Sequence, residues 1–399
     1  MKHINIMQLC LFVLLFSCCN TPAYYTHSTI SIPSINIDDP KCPVDSDAFE
    51  ISEVIYLKLP NEATDVTGTP IFCNDRIYMY DVSREYIIVF NSNGDYLHKI
   101  GGLGHARNEI VGGICTFDVD RHTNYVHIYN RDGMKILVFD ENGRYVNAVM
   151  LRDCLPSSIT LSDNGSYIAS FDCMSYTDKY SRLVVLDDKG SVSKILLKSD
   201  DENNITCEGV NTRPLFSDHK GNVAYLSTLA DSIVYISGDT IQRIFNVDFA
   251  DGFLSKKEIK QAKQLGKIPD VFKNIKYISK CAITDNYCLI EYYGKRNGSQ
   301  LTTNYTYLLN RMTNKDYAFS GYVCVPGVLN YACSIVDNQL IFVITEDAIL
   351  QEESIYNNYV KPSGKSYEEM IKQDGLIPVC EDILTRKIKT PVILKIQLK

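Results

Sequence analysis

The sequence predicts an all-β fold, a six-bladed β-propeller, from three observations. Residues 77–97 and 126–146 repeat one pattern of alternating strands and turns at an offset of 49 residues, which is close to the length of one propeller blade. Weaker copies of this pattern continue through the rest of the chain. Alternating strands also lie at residues 53–59 and 392–398, as expected of a ring closed by pairing its two chain ends.

Each clear copy contains an alternating strand, a turn with Asp or Asn, and a second strand that ends in Val-Phe or Val-Leu. A glycine follows in each copy, at Gly94, Gly143 and Gly190. Asn-Gly or Lys-Gly supplies the positive φ of a tight hairpin, so these glycines are predicted to be structural turn residues. Replacing Gly94 or Gly143 with Val should destabilise its blade by about 1 to 2 kcal/mol.

The number of blades follows from the number of copies. Three copies are clear, and three weaker ones lie at residues 231–239, 282–290 and 334–343. These copies predict six blades, and rings of five or seven blades remain open alternatives.

Two insertions between strands are predicted to be short helices. Ser255 and Ser366 each begin a capping box, and the apolar patterns that follow end near Gly266 and Gly375. The alternative is that both segments are loops.

The first residues predict export. Lys2 precedes the uncharged run Leu9–Phe16, which is much shorter than the roughly 20 residues that cross a membrane as a helix. The sequence Leu15-Phe16-Ser17-Cys18 resembles the lipobox of bacterial lipoproteins, which implies acylation of Cys18, with an ordinary secretory signal as the alternative. The predicted division is a signal peptide at 1–17, a lipid-anchored tether at 18–50 and the β-propeller at 51–399.

Several motifs together resemble one family. Residues 89–97 lead into Ile100-Gly101-Gly102-Leu103-Gly104 and Asn108-Glu109, and residues 231–235 and 390–394 add later segments. They resemble the six-bladed propeller lipoproteins of Bacteroides-like gut bacteria, which are distant relatives of the NHL-repeat propellers. The sequence departs from that family at 106–108, where Gly and Pro are usual. The resemblance covers about residues 50–399; it implies the fold and an envelope location and transfers no catalytic residue.

Composition argues against several other classes of function. The net charge is −8, and no run of Lys or Arg accompanies an aromatic cluster, which disfavours a nucleic-acid partner. The cysteines show no C-x-x-C spacing and no His at zinc-ligand spacing, so we predict no metal site and no cofactor, and most cysteines are expected in the core. Asp118, Asp120 and Asn124 could offer oxygen ligands to calcium, but an inter-strand turn is the preferred interpretation.

The predicted function is therefore binding. We expect an anchored envelope protein that binds a protein, glycan or peptide ligand, facing the periplasm from the outer membrane, with the cell surface as the alternative location. Whether the chain is an enzyme stays open. The rival hypothesis is a metal-dependent propeller lyase or hydrolase of the NHL-like type, which would require convergence among these scattered histidines: His98, His105, His122, His127 and His219.

Overall fold

The computed structural model describes residues 26–32, 49–60, 66–152, 154–171, 181–198, 214–218, 220–226, 232–249, 277–295, 302–320, 332–345 and 390–398. The regular elements in this part of the chain are all β-strands. In chain order they are β1 (Thr26–Ile32), β2 (Phe49–Tyr56), β3 (Val66–Cys73), β4 (Arg76–Asp81), β5 (Tyr86–Asn91), β6 (Tyr96–Gly101), β7 (Thr116–Val119), β8 (Val126–Asn130), β9 (Lys135–Phe139), β10 (Tyr145–Met150), β11 (Ser158–Leu161), β12 (Tyr167–Ser170), β13 (Ser181–Leu186), β14 (Val192–Lys198), β15 (Leu215–Ser217), β16 (Asn222–Tyr225), β17 (Ser232–Ser237), β18 (Thr240–Phe249), β19 (Tyr277–Ile283), β20 (Tyr287–Lys295), β21 (Thr302–Asn310), β22 (Asp316–Ser320), β23 (Ala332–Val336), β24 (Gln339–Ile344) and β25 (Val392–Leu398). The helices predicted to start at Ser255 and Ser366 lie outside the described residues.

The strands form six sheets, and the predicted six-bladed propeller is confirmed. Blades 1 to 5 consist of β3–β6, β7–β10, β11–β14, β15–β18 and β19–β22, and blade 6 consists of β23–β25 with β2. The first strands of successive blades contact one another from β3 round to β23, and β23 contacts β3. These six first strands therefore line the axis of a closed ring.

The ring is closed by the two ends of the chain, as the alternating terminal strands predicted. β2 is the outer strand of blade 6 and pairs antiparallel with β25, from Phe49 opposite Leu398 to Tyr56 opposite Val392. The N-terminal and C-terminal parts of the chain thus share one sheet.

Hydrophobic clusters fill the seams between adjacent blades. In the seam between blades 6 and 1, for example, Ile55 and Ile393 pack with Phe90, and all three are at least 97% buried. The other five seams hold equivalent clusters of described residues. Stacking the blades buries the two apolar faces that each sheet would otherwise expose.

The glycine of the repeated turn has the positive φ that the hairpin pattern predicts. Gly94, Gly143 and Gly190 have φ of 83°, 79° and 79°. In the first of these turns Asn91 Oδ1 accepts hydrogen bonds from the backbone nitrogens of Asn93 (3.0 Å) and Asp95 (2.9 Å). The aspartates that begin the other two turns, Asp140 and Asp187, accept the same pair of bonds. The first residue of each turn and its glycine therefore stabilise the hairpin together.

One segment differs from the predicted tether. Within residues 18–50, β1 forms a fifth strand on blade 4, pairing parallel with β18 from Thr26 opposite Arg243 to Ile32 opposite Phe249. Ile30 and Ile32 are only 4% and 1% exposed and pack in the seam between blades 4 and 5. Burial of these two side chains favours a docked strand over a free tether in this stretch.

Candidate functional site

The two faces of the propeller differ in the length of their connections. On one face, which we call the short-turn face, each first strand turns into the second, and the longest of these turns is residues 120–125. On the other, the long-connection face, second strands lead to third strands and each blade leads to the next. The longest of these connections are residues 199–214, 250–276 and 345–391.

Polar contacts link the short turns of different blades across the short-turn face. The linked pairs are Asn74 with Asn124, His122 with Asp163, Asp163 with Gly221, Asn286 with Asn338, and Lys220 with Asp337. The last of these pairs is an ion pair that joins blade 4 to blade 6. The turns on this face therefore use many of their polar groups to hold one another.

A small, open pocket of about 20 Å³ lies among the short turns of blades 2, 3 and 4. Two of its acids already bind groups of the protein. Asp118 is buried, and its Oδ2 accepts from Thr160 Oγ1 (2.5 Å) and from the backbone nitrogen of Leu161 (2.9 Å). Asp120 accepts from the backbone nitrogen of His122 and from Thr123 Oγ1. Asp120 therefore acts within the turn 120–125, whereas Asp118 lies on β7 and bonds to β11 of the next blade.

The described histidines lie apart from one another. His127 is on β8, where its Nδ1 lies 2.9 Å from Tyr167 Oη, and burial lowers its pKa. His98 is on the outer strand β6, and burial also lowers its pKa. His105 and His122 are exposed, and His219 lies outside the described residues. Within the described ranges, no three His, Cys, Asp or Glu side chains are grouped so that they could hold a metal ion.

Sequence reasoning missed one buried carboxyl group, Glu291 on β20. It is 6% exposed, and its Oε1 has no hydrogen-bond partner among the described residues. Burial raises its pKa, while the charge of Lys280 acts in the opposite direction. The signal in the sequence is a single acid within the strand Cys288-Leu289-Ile290-Glu291-Tyr292.

The described part of the long-connection face carries exposed apolar side chains. Val82, Leu103 and Met134 are 40%, 55% and 43% exposed, and each lies in a connection of blade 1 or 2.

The connection between blades 1 and 2 is held firmly in place. Asn130 is fully buried and donates from Nδ2 to the carbonyl oxygens of Val111 (2.7 Å) and Gly113 (2.8 Å). Its Oδ1 accepts from the backbone nitrogen of Val111. Glu85 accepts from the backbone nitrogen of Ile114 (2.6 Å). Leu103 is therefore presented by a connection whose far end is bonded to both blades.

Comparisons with known proteins give a family and a fold. The sequence model of a family described as Domain of unknown function (DUF4934) matches residues 66–375. A search of curated proteins finds no match. A protein from Bacteroides fragilis, whose description predicts that it is exported, superposes with a TM-score of 0.69 at 16% identity, covering 93% of this chain and 100% of its own. A member of the DUF4221 family from Bacteroides vulgatus superposes with a TM-score of 0.52 at 9% identity, covering 89% and 99%.

At these identities the two structures bear on the fold alone. Both come from Bacteroides, the group in which the resembling lipoproteins occur. Among the described residues, no helix has the length and apolar character needed to cross a membrane. Cys18, the predicted site of acylation, lies outside the described residues.

Proposed function

We propose that this chain, which belongs to the DUF4934 family, is a binding or scaffold module of the cell envelope, anchored to a membrane through Cys18. The observation that carries the proposal is the difference between the two faces of the ring. One face is occupied by contacts between its own turns, whereas the strand ends at the other face lead into the long connections within and between blades, and its described part exposes Val82, Leu103 and Met134.

Loops on a rigid scaffold are the usual carriers of binding function. Here the scaffold is a closed ring with filled seams, and the connection that presents Leu103 is bonded to two blades. The long-connection face is therefore the proposed ligand surface. A glycan or a peptide suits such a surface, because both combine apolar contact with backbone or hydroxyl hydrogen bonds.

The proposed location is the periplasmic face of the outer membrane, with the chain held by its acylated N-terminus. The lipobox-like sequence before Cys18 and the resemblance to Bacteroides-type propeller lipoproteins support the anchor. A positive charge followed by a short apolar run supports export. The rival metal-dependent lyase gains no support from the described histidines, which do not group.

A photo-reactive amino acid placed at Leu103 tests the ligand surface. Met312 is the matched control, because it is a 74% exposed apolar residue in the turn between β21 and β22, away from the long connections. In native membranes we expect cross-linked products from position 103 and none from position 312. A glycan array probed with the soluble protein then tests glycans as ligands: Leu103→Asp should weaken the binding, and Met312→Asp should leave it unchanged. Equal cross-linking at both positions would contradict the assignment of the face.

A further inference from the structure

The docked strand β1 fixes where the lipid anchor meets the propeller. Counting from Cys18, the chain reaches β1 on blade 4 after residues 19–25, but it reaches β2 on blade 6 only after residues 19–48. If β1 is docked, the shorter segment sets the distance between the acyl chains and the ring.

The two segments differ greatly in reach. Fully extended, a segment of 30 residues covers about 100 Å. Even fully extended, seven residues cover only about 25 Å. A propeller held by the short segment cannot turn blade 4 far from the membrane surface.

Several contacts hold β1 in place besides its pairing with β18. Tyr307 Oη of blade 5 donates to the carbonyl oxygen of Ser31 (3.3 Å). Arg243 Nε donates to Thr26 Oγ1 (3.1 Å). Together with the buried Ile30 and Ile32, these bonds tie both ends of β1 to blades 4 and 5.

The sequence around β1 also suits a membrane surface. Residues 19–37 contain no Lys, Arg, Asp or Glu, and the exposed positions of β1 are Thr26, His27, Thr29 and Ser31. A strand without acidic residues is not repelled by anionic headgroups, and no charged side chain loses hydration as it approaches them.

We infer that the outer edge of blade 4, at β1, is the edge of the propeller that faces the lipid surface. This inference rests on the proposed acylation of Cys18. It places blade 1, which lies opposite blade 4 in the ring, farthest from the membrane.

Energy transfer to an acceptor lipid tests the orientation. The acylated full-length chain is placed in phosphatidylcholine vesicles that contain a headgroup-labelled acceptor, with a fluorescent amino acid at Asn246 or at Leu97. Both positions are exposed: Asn246 is on β18, next to the outer strand β1 of blade 4, and Leu97 is on β6, the outer strand of blade 1. We expect greater transfer from position 246 than from position 97.

Two variants should remove that difference. A Gly-Ser insertion of about 20 residues after Asn20 lengthens the segment between Cys18 and β1 and leaves β1 itself unchanged. Ile32→Asp places a charge in the seam between blades 4 and 5 and should release β1, whereas Ser31→Asp changes an exposed neighbour and should keep the difference. The insertion decides the question even if Ile32→Asp fails to fold.

The outcomes separate the inference from the function on which it rests. Equal transfer from positions 246 and 97 in a chain that incorporates labelled palmitate would overturn the orientation and leave the anchor intact. If transfer from position 246 still exceeds transfer from position 97 after the insertion, the orientation is also overturned, because the short segment before β1 would not be the cause of the difference. Absence of acylation at Cys18 would overturn both proposals.

Discussion

Gly94 meets two requirements at once. Its φ of 83° is a conformation that L side chains rarely adopt, and a Cβ at this position would lie closer than 3.0 Å to the carbonyl oxygen of Tyr56 on blade 6. Gly190 faces the carbonyl oxygen of Met150 on the preceding blade in the same way. The turn glycine therefore permits both the hairpin and the close approach of neighbouring blades.

Comparing two glycines separates these requirements. Gly165 has φ of 76° but open space around its Cβ position, so Gly165→Ala should cost about 1 to 2 kcal/mol of unfolding free energy through backbone strain alone. Gly94→Ala should cost more, because the new methyl group meets backbone atoms of blade 6. Urea unfolding of both variants measures the difference, and equal losses would show that the approach between blades adds nothing.

Glu291 should make stability depend on pH. Because burial raises its pKa in the folded chain, its contribution is fully present below the unfolded value of about 4.3 and is lost as pH rises through the folded pKa. We expect Glu291→Gln to raise the unfolding free energy at pH 7 and to reduce the decline of that free energy as pH rises above the unfolded pKa. Glu50→Gln, an exposed change on β2, is the control. An unchanged profile for Glu291→Gln would contradict the assignment.

At the scale of elements, the pairing of β2 with β25 is the closure on which the ring depends. Ile55 on β2 is 3% exposed in the seam between blades 6 and 1, so Ile55→Ala should lower the unfolding free energy by about 2 to 5 kcal/mol. Glu53→Gln removes only the ion pair of the half-exposed Glu53 with Lys395 and should cost less than about 1 kcal/mol. Calorimetry or urea unfolding of the two variants checks the contrast.

The sequence repeat predicted the number of blades but not the role of every copy. The first four copies contain third and fourth strands, whereas the copies at 282–290 and 334–343 are hairpins of first and second strands. Blade 6 has no covalent turn between its third and fourth strands, because β25 and β2 come from opposite chain ends. In blade 5 that turn uses Asn314 at φ 56° in place of glycine, so the motif is not recognisable there.

β1 could have been found from its own pattern. Ile30 and Ile32 alternate with Thr29 and Ser31, which is the period of a strand buried on one face. The run is short and Pro33 follows it, so the signal resembles the proline-containing segment around it. The pairing partner of β1 lies more than 200 residues away, so the local sequence does not indicate which strand β1 pairs with.

The candidate surface depends on strand direction and on the order of blades, and neither is visible in a motif. Lys220 and Asp337 are far apart in sequence and meet only because the turns of blades 4 and 6 share one face. For the same reason the residues that line the small pocket could not be grouped in advance. Asp120 was recognised as a turn residue because that role depends on local spacing, whereas the bonds of Asp118 to Thr160 and Leu161 of the next blade follow only from the fold.

At the scale of the whole molecule, the lipid anchor is the proposal that decides where the propeller acts. Cys18→Ala should abolish incorporation of labelled palmitate and release the protein from membrane fractions, because two or more acyl chains account for stable retention. Cys19→Ala is the neighbouring control and should stay labelled and membrane-bound. Persistent labelling of Cys18→Ala would move the anchor to another residue.

The join between β2 and β25 also sets the order in which the molecule can be completed. β25 follows β2 by more than 300 residues, so β2 must wait for all of that intervening chain before it can pair. Pairing over such a distance is intrinsically slow. A chain cut short before residue 392 lacks the strand that completes blade 6 and leaves the seam with blade 1 exposed. The ring can therefore close only after residues 392–398 are available to pair with β2.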